Sequence, residues 1–205
     1  MKLIDALALI RDLNQPVFRT ADAAVCLGVE RSHASKILER LAQAGHLLRL
    51  ARALWGLPGR VEPFALPEHL AAPFPAYVSL HSALYHHGMV SQVPSVVYAI
   101  TIGRARRHAT PLGIVSLHHV DPAFFFGFES HGVRGLKIAT PEKALLDALY
   151  LGTGRSQGLR ALPEIELPRS FRVRKARAML ARIRSAERRR RVAERLNRVL
   201  AASRL

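Results

Sequence analysis

Apolar residues recur at helical spacing in the opening stretch LIDALALIRDL, where Leu3, Ala6, Leu7 and Ile10 share one face. After Asn14-Gln15-Pro16, Thr20 is suited to N-cap a second helix, ADAAVCL, which stops at Gly28. GVERSHASKILERLAQAG then places Ala34, Ile37, Leu38 and Leu41 on one side of a third helix that ends at Gly45. Two short apolar runs, HLLRL and ALWGL, flank Ala51-Arg52 and predict a hairpin. Two helices joined by a glycine-containing turn, with a hairpin after them, follow the order of a winged helix-turn-helix. Residues 1–60 are assigned to it.

Residues 61–76, VEPFALPEHLAAPFPA, carry Pro63, Pro67, Pro73 and Pro75. Prolines this dense interrupt helix and sheet alike, so an extended linker and a domain boundary are expected there. Beyond it, YVSLHSALYHHGM predicts a short helix capped by Ser79 and ended at Gly88. VVYAITI, LGIVSLHHV, FFFGF and LKIAT are β-branched or aromatic runs separated by Gly, Pro and Asp, and predict strands.

IATPEKALLDALYLG, residues 138–152, brings Glu142, Lys143 and Asp147 together as a small catalytic centre would. Each also has an ordinary helical role. Thr140 suits the N-cap, Pro141 the first helical position and Glu142 the positive helix end. Lys143 and Asp147, four apart, can pair along one side, while Ala144, Leu145, Ala148, Leu149 and Tyr150 supply buried surface. The stretch is expected to be a helix within an α+β domain spanning residues 77–168.

Residues 169–205 divide at Ser185 into two helical stripes, Val173, Ala176, Met179, Leu180 and Ile183, then Val192, Leu196, Val199 and Leu200. Arginine fills most remaining positions, with Arg188, Arg189, Arg190 and Arg191 consecutive. The stripes predict a helical tail packed on the second domain. Its arginine face is either solvated or an additional contact for a polyanion.

Charge changes this picture more than composition does. The net charge is +16. Lys and Arg outnumber Asp and Glu nine to five over residues 1–60, balance them eight to eight over 61–168, and stand fourteen to two over 169–205. A chain basic at both ends is suited to meeting a polyanion. Arg outnumbers Lys 26 to 5, a bias that G+C-rich coding alone produces, but such bias does not clear the tail of acids. Hydrophobic residues make up 49%, which excludes wholesale disorder. No apolar run reaches the length of a membrane span, and the N-terminus reads as an amphipathic helix rather than a signal peptide. The single cysteine, Cys26, forms no internal disulfide and reads as a small buried hydrophobe. A soluble, cytoplasmic, mixed α/β (α+β) protein without a cofactor is expected.

With the apolar stripe of the third helix turned inward, Ser32, Ser35, Lys36 and Glu39 face outward, flanked by Arg31, His33 and Arg40. Arg, Lys and Ser near the start of such a helix suit base edges and phosphates in a major groove. Arg49 and Arg52 on the hairpin would reach the neighbouring backbone or minor groove, and Thr20, heading the second helix, completes the expected DNA-binding set. The alternative is a three-helix packing module whose outer face is only solvated. Helix order, turn glycine, hairpin and charge together favour DNA.

Other chemistry lacks its residues. Eight of the ten histidines lie between His69 and His131, without an H-E-x-x-H motif or paired cysteines, so no metal site is assigned. GTGRSQG, residues 152–158, follows a predicted helix rather than a strand and lacks a Gly-Lys-Ser/Thr ending, so it reads as a turn. There is no Asp/Glu-x-Lys tripeptide for nuclease chemistry. GRSQG within that run has the G-x-S-x-G spacing, but it follows a predicted helix rather than the strand that a nucleophile elbow needs, so no serine nucleophile is assigned. No catalytic residue is assigned, and the chain is not expected to be an enzyme.

The order of a winged helix, SLHSALYHHGMVSQVP, IATPEKALLDALYL, LPEIELP and a basic helical tail resembles the AbiEi-type antitoxins of type IV abortive-infection (phage-defence) toxin–antitoxin systems. Ser82–Pro94 and Pro141–Tyr150 carry the most specific parts of the resemblance, which are scaffold and not catalytic motifs. It implies a two-part antitoxin. The winged helix would bind inverted repeats upstream of its own operon and repress it, with two copies arranged on the DNA. The C-terminal domain would counter a cognate nucleotidyltransferase toxin, directly or indirectly. The chain has no Gly-Ser pair followed by spaced aspartates, so it resembles the antitoxin and not the toxin. A stand-alone winged-helix regulator without a toxin partner is the alternative.

Overall fold

Helix α1 (Leu3–Asp12) buries Ala6, Leu7 and Ile10, the face its spacing selects. The computed structural model describes residues 2–132, 136–152 and 164–203. After α1 come strand β1 (Val17–Arg19), helices α2 (Thr20–Leu27) and α3 (Arg31–Gln43), and the hairpin of β2 (Leu48–Ala51) and β3 (Leu54–Gly56). The three strands form an antiparallel sheet in the order β1-β3-β2. Gly28, at φ 63°, makes the left-handed turn between α2 and α3, where an L side chain would be strained. All of β3 is buried, with successive side chains on opposite faces. Trp55 faces a core of Leu7, Ile10, Phe18, Leu38 and Leu41, while Leu54 faces away, toward the second sheet.

Residues 61–76 are not the extended linker that their prolines suggest. Pro63–Ala65 form a 3-10 turn, and Leu66–Ala71 form helix α4, with Leu66 and Leu70 buried. Pro63 and Pro67 each sit in a first turn, where a missing N–H costs no hydrogen bond.

The remaining elements are β4 (Ala76–Val78), α5 (Leu80–His86), β5 (Val96–Thr101), β6 (Arg106–Thr110), β7 (Gly113–His119), β8 (Phe128–His131), β9 (Leu136–Ala139), α6 (Pro141–Gly152), α7 (Val173–Met179) and α8 (Ala186–Ala202). The class is mixed α and β. The six strands order as β6-β7-β5-β4-β9-β8, with β4–β9 and β5–β7 parallel and the other pairs antiparallel. FFFGF is not a strand: Pro122–Phe124 form a 3-10 turn that buries Phe124, and β8 begins only at Phe128. Apart from Gly152, the glycine-rich run 152–158 lies outside the described residues.

The two faces of this sheet meet different partners. On β5, Ala99 joins a core with Leu50, Leu54, Leu66 and Leu70, whereas its neighbour Ile100 joins one with Leu84, Leu145, Leu149 and Leu196. The N-terminal module and α4 therefore cover one face, and α5 to α8 the other. Strand β2 also packs against β6, so the hairpin is anchored on the second sheet rather than standing free.

Candidate nucleic-acid interface

Helix α3 is held by Ala34, Ile37, Leu38 and Leu41, all buried, and these four define which residues are left outside. Arg31, Ser32, His33, Lys36, Glu39 and Arg40 are exposed, and Ser35 is half-buried beside Ala34. The first turn of the helix carries no acid, but Glu30 stands at its N-cap and offsets part of the positive charge that the helix end and Arg31 present. Arg49 and Arg52 are exposed on the hairpin that follows, and the Arg49 guanidinium lies 5.8 Å from the Trp55 ring centroid. That contact steadies a cation at the surface without neutralising it.

Thr20 belongs elsewhere. It is the first residue of α2 rather than its cap, and it is 3% exposed. Its Oγ1 accepts a 2.9 Å hydrogen bond from Trp55 Nε1–H, tying α2 to the hairpin. Arg19 occupies the N-cap position, and the Asp22 carboxylate accepts from the Arg19 N–H at 2.7 Å. Thr20 thus leaves the DNA-contacting set, because a buried indole N–H needs the acceptor it supplies.

Sequence reasoning missed one group of cations. Arg104, Arg106 and Arg107, on and before edge strand β6, are exposed and lie in a region whose overall charge is balanced. Because β6 packs against β2, they extend the basic surface from Arg49 onto the second sheet. RRHAT has no apolar alternation to mark it as a strand, and only its pairing with β7 reveals its place.

The tail arginines are differently placed. Helix α8 packs against α6, with Val192, Leu196 and Leu200 buried, on the sheet face opposite the hairpin. Arg188 donates to the Tyr150 hydroxyl at 2.8 Å and stacks over its ring, and Arg189 donates to the Ile183 carbonyl at 3.3 Å. Arg190 and Arg191 pair with Glu194 and Glu187, the two acids of the segment. All four already have a partner within the chain, and none shares the face of α3.

The trio on α6 is engaged in holding the fold. Thr140 Oγ1 accepts from the Lys143 N–H at 3.4 Å, an N-cap. Lys143 and Asp147 pair with both side chains 0% exposed, and not along a solvated side as their spacing alone suggests. Tyr77 and Ser79 hydroxyls donate to Asp147 Oδ2 at 3.0 and 2.7 Å, and the Lys143 ammonium lies 3.8 Å from the Phe124 ring centroid. Ser79 is the N-cap of α5 by position, but its hydroxyl serves Asp147. Glu142 Oε1 accepts from the Arg172 N–H at 3.0 Å, and its Oε2 lies 3.3 Å from Lys175 Nζ, so it fastens α7. Burial raises the Glu142 pKa, but that hydrogen bond and the Lys175 charge outweigh it and hold the carboxyl below its ordinary value.

Three of the histidines meet: the His87 and His131 rings lie 5.0 and 5.6 Å from that of His86, centroid to centroid. Burial holds His69, His81, His86, His108 and His118 below the ordinary imidazole value. Among the described residues, no group of three or more His, Cys, Asp or Glu is placed to hold a metal ion. No helix among them is long and apolar enough to cross a membrane.

Residues 5–58, the three helices and the hairpin, match the family model described as transcriptional regulator, AbiEi antitoxin. The N-terminal segment is AbiEi-like. The match ends at the hairpin, so the second sheet and the tail lie outside it. No curated protein matches the chain. The AbiEi-like segment contains every exposed α3 and hairpin cation named above, and it excludes the β6 and tail arginines.

Proposed function

We propose that this chain is a cytoplasmic, DNA-binding antitoxin that represses its own toxin–antitoxin operon. The observation that carries this reading is the exposed basic face of α3, with Arg31, Lys36 and Arg40, followed by Arg49 and Arg52 on the hairpin, within the AbiEi-like segment. In a winged-helix docking, α3 enters the major groove. Arg31 and Lys36 then meet base edges or phosphates, and the hairpin arginines follow the adjacent backbone. Arg104, Arg106 and Arg107 extend the contact along the phosphates. The tail arginines face the other way and would reach DNA only if it wraps around the protein or belongs to a second bound copy.

In this account the domain beyond the hairpin counters a cognate nucleotidyltransferase toxin, and the 1–60, 77–168 and 169–205 divisions separate DNA reading from antitoxin action. The reading has two independent tests. A reporter driven by the DNA upstream of this gene should be repressed by the wild type and released by Arg31→Ala/Lys36→Ala. The same variant should still rescue cells expressing the neighbouring toxin. If repression requires the basic face but no toxin is neutralised, the protein is a stand-alone regulator.

A further inference from the structure

Between α4 and the turn joining β5 to β6 lies a cavity of about 560 Å³. Leu70, Phe74, Ile102 and Leu117 make it apolar, and its size is that of a small-molecule site. Phe74 is 46% exposed, an unusual position for a phenyl ring. It lies across Gly103, where a Cβ would come within 2.7 Å of the ring, so the glycine lets the wall close.

The rim is cationic. Arg104, Arg106 and His119 border the cavity, and none of its described lining residues is acidic. Neither arginine has an ion-pair partner among the described residues. The neighbouring polar groups are already committed. Thr101 Oγ1 donates to the Pro75 carbonyl at 2.8 Å and accepts from the Gly103 N–H at 3.1 Å, and His119 Nδ1 donates to the Gly103 carbonyl at 2.9 Å. Among the described lining side chains, the cations left for a ligand are the two guanidinium groups.

We propose that this cavity binds a small amphipathic carboxylate, its apolar body on Leu70, Phe74 and Leu117 and its acid group on Arg104 and Arg106. A neutral apolar ligand would leave the arginines without a counter-charge, and a polyphosphate would set most of its charge against hydrocarbon. Since β6 packs against the hairpin, the bound acid also cancels positive charge beside Arg49. It therefore loosens DNA, a consequence that rests on the DNA-binding reading above.

Calorimetric titration of the full chain with octanoate, without DNA, tests the site by itself; 1-octanol and inorganic phosphate supply the body and the charge separately. Octanoate is expected to bind saturably, and each control at least about tenfold more weakly. Arg104→Gln/Arg106→Gln should abolish the preference for acid over alcohol, and Phe74→Ala should weaken both. All three are exposed positions, so the variants are expected to keep their fold, which circular dichroism checks. Absence of saturable octanoate binding, or binding indifferent to both variants, overturns the proposal. Octanoate that binds but does not release upstream DNA removes only the regulatory consequence.

Discussion

Lys143 and Asp147 stand one turn apart on α6 and form an ion pair that solvent does not reach. Burial pushes the lysine pKa down and the aspartate pKa up, and each partner's charge opposes that shift. Tyr77 and Ser79 bring the strand–helix junction of β4 and α5 to the same carboxylate. The pair therefore fixes how α6 sits on the sheet, which in turn sets the platform for α7 and α8.

Breaking that pair from one side should cost more than removing it. Lys143→Met leaves a buried carboxylate without its counter-charge, and a loss of about 3–5 kcal/mol is expected. Lys143→Met/Asp147→Leu should be less destabilising than the sum of the single variants, as urea unfolding will show.

Thr20→Val should separate stability from DNA binding. The swap leaves the Trp55 indole N–H without its acceptor in a buried place, at a cost of about 1–3 kcal/mol. Trp55 is the only tryptophan, so its fluorescence reports the hairpin's packing directly. Under conditions where the variant stays folded, DNA affinity should match the wild type.

Acid should destabilise the protein through its half-buried histidines. His81 and His118 are held by burial below the ordinary value of 6.5, so the folded chain binds fewer protons than the unfolded chain as pH falls past that value. Their contribution is present above 6.5 and is lost progressively as pH falls toward and through the folded values. Thermal unfolding followed from neutral to mildly acidic pH should show a falling melting temperature. The slope should flatten in His81→Gln/His118→Gln.

The tail should behave as core on one side and as solvated charge on the other. Leu196→Ala is expected to cost about 2–5 kcal/mol, because Leu196 is 0% exposed between α6 and α8. Arg190→Gln/Arg191→Gln, which breaks only surface pairs, should change stability by about 1 kcal/mol or less. Urea titrations of the two variants make the comparison.

The outer face of α3 was legible because the helix is half buried, and its apolar stripe identifies that face by exclusion. Helix α6 was legible as a helix but not as a core element. Lysine and aspartate four apart look the same in water and in a protein interior, and only the aromatic residues arriving from distant segments decide between them. Thr20 was misplaced for the same reason: its partner, Trp55, is 35 positions away. β1 has three residues and β6 only one apolar residue, so neither offers periodicity. In residues 61–76 prolines were read as breakers although two of them start helical turns.

The most direct measurement of the central claim is binding of the full chain to the DNA immediately upstream of its gene, against a shuffled duplex, at about 150 mM salt, where generic attraction is screened. Wild type should prefer the upstream DNA, and log affinity should fall linearly with log salt. Arg31→Ala/Lys36→Ala should lose the preference and lower the salt slope by about 2, roughly one for each phosphate-contacting cation removed. Equal, weak binding of both duplexes by wild type, or a double variant that binds as wild type does, would contradict a protein that reads DNA through α3.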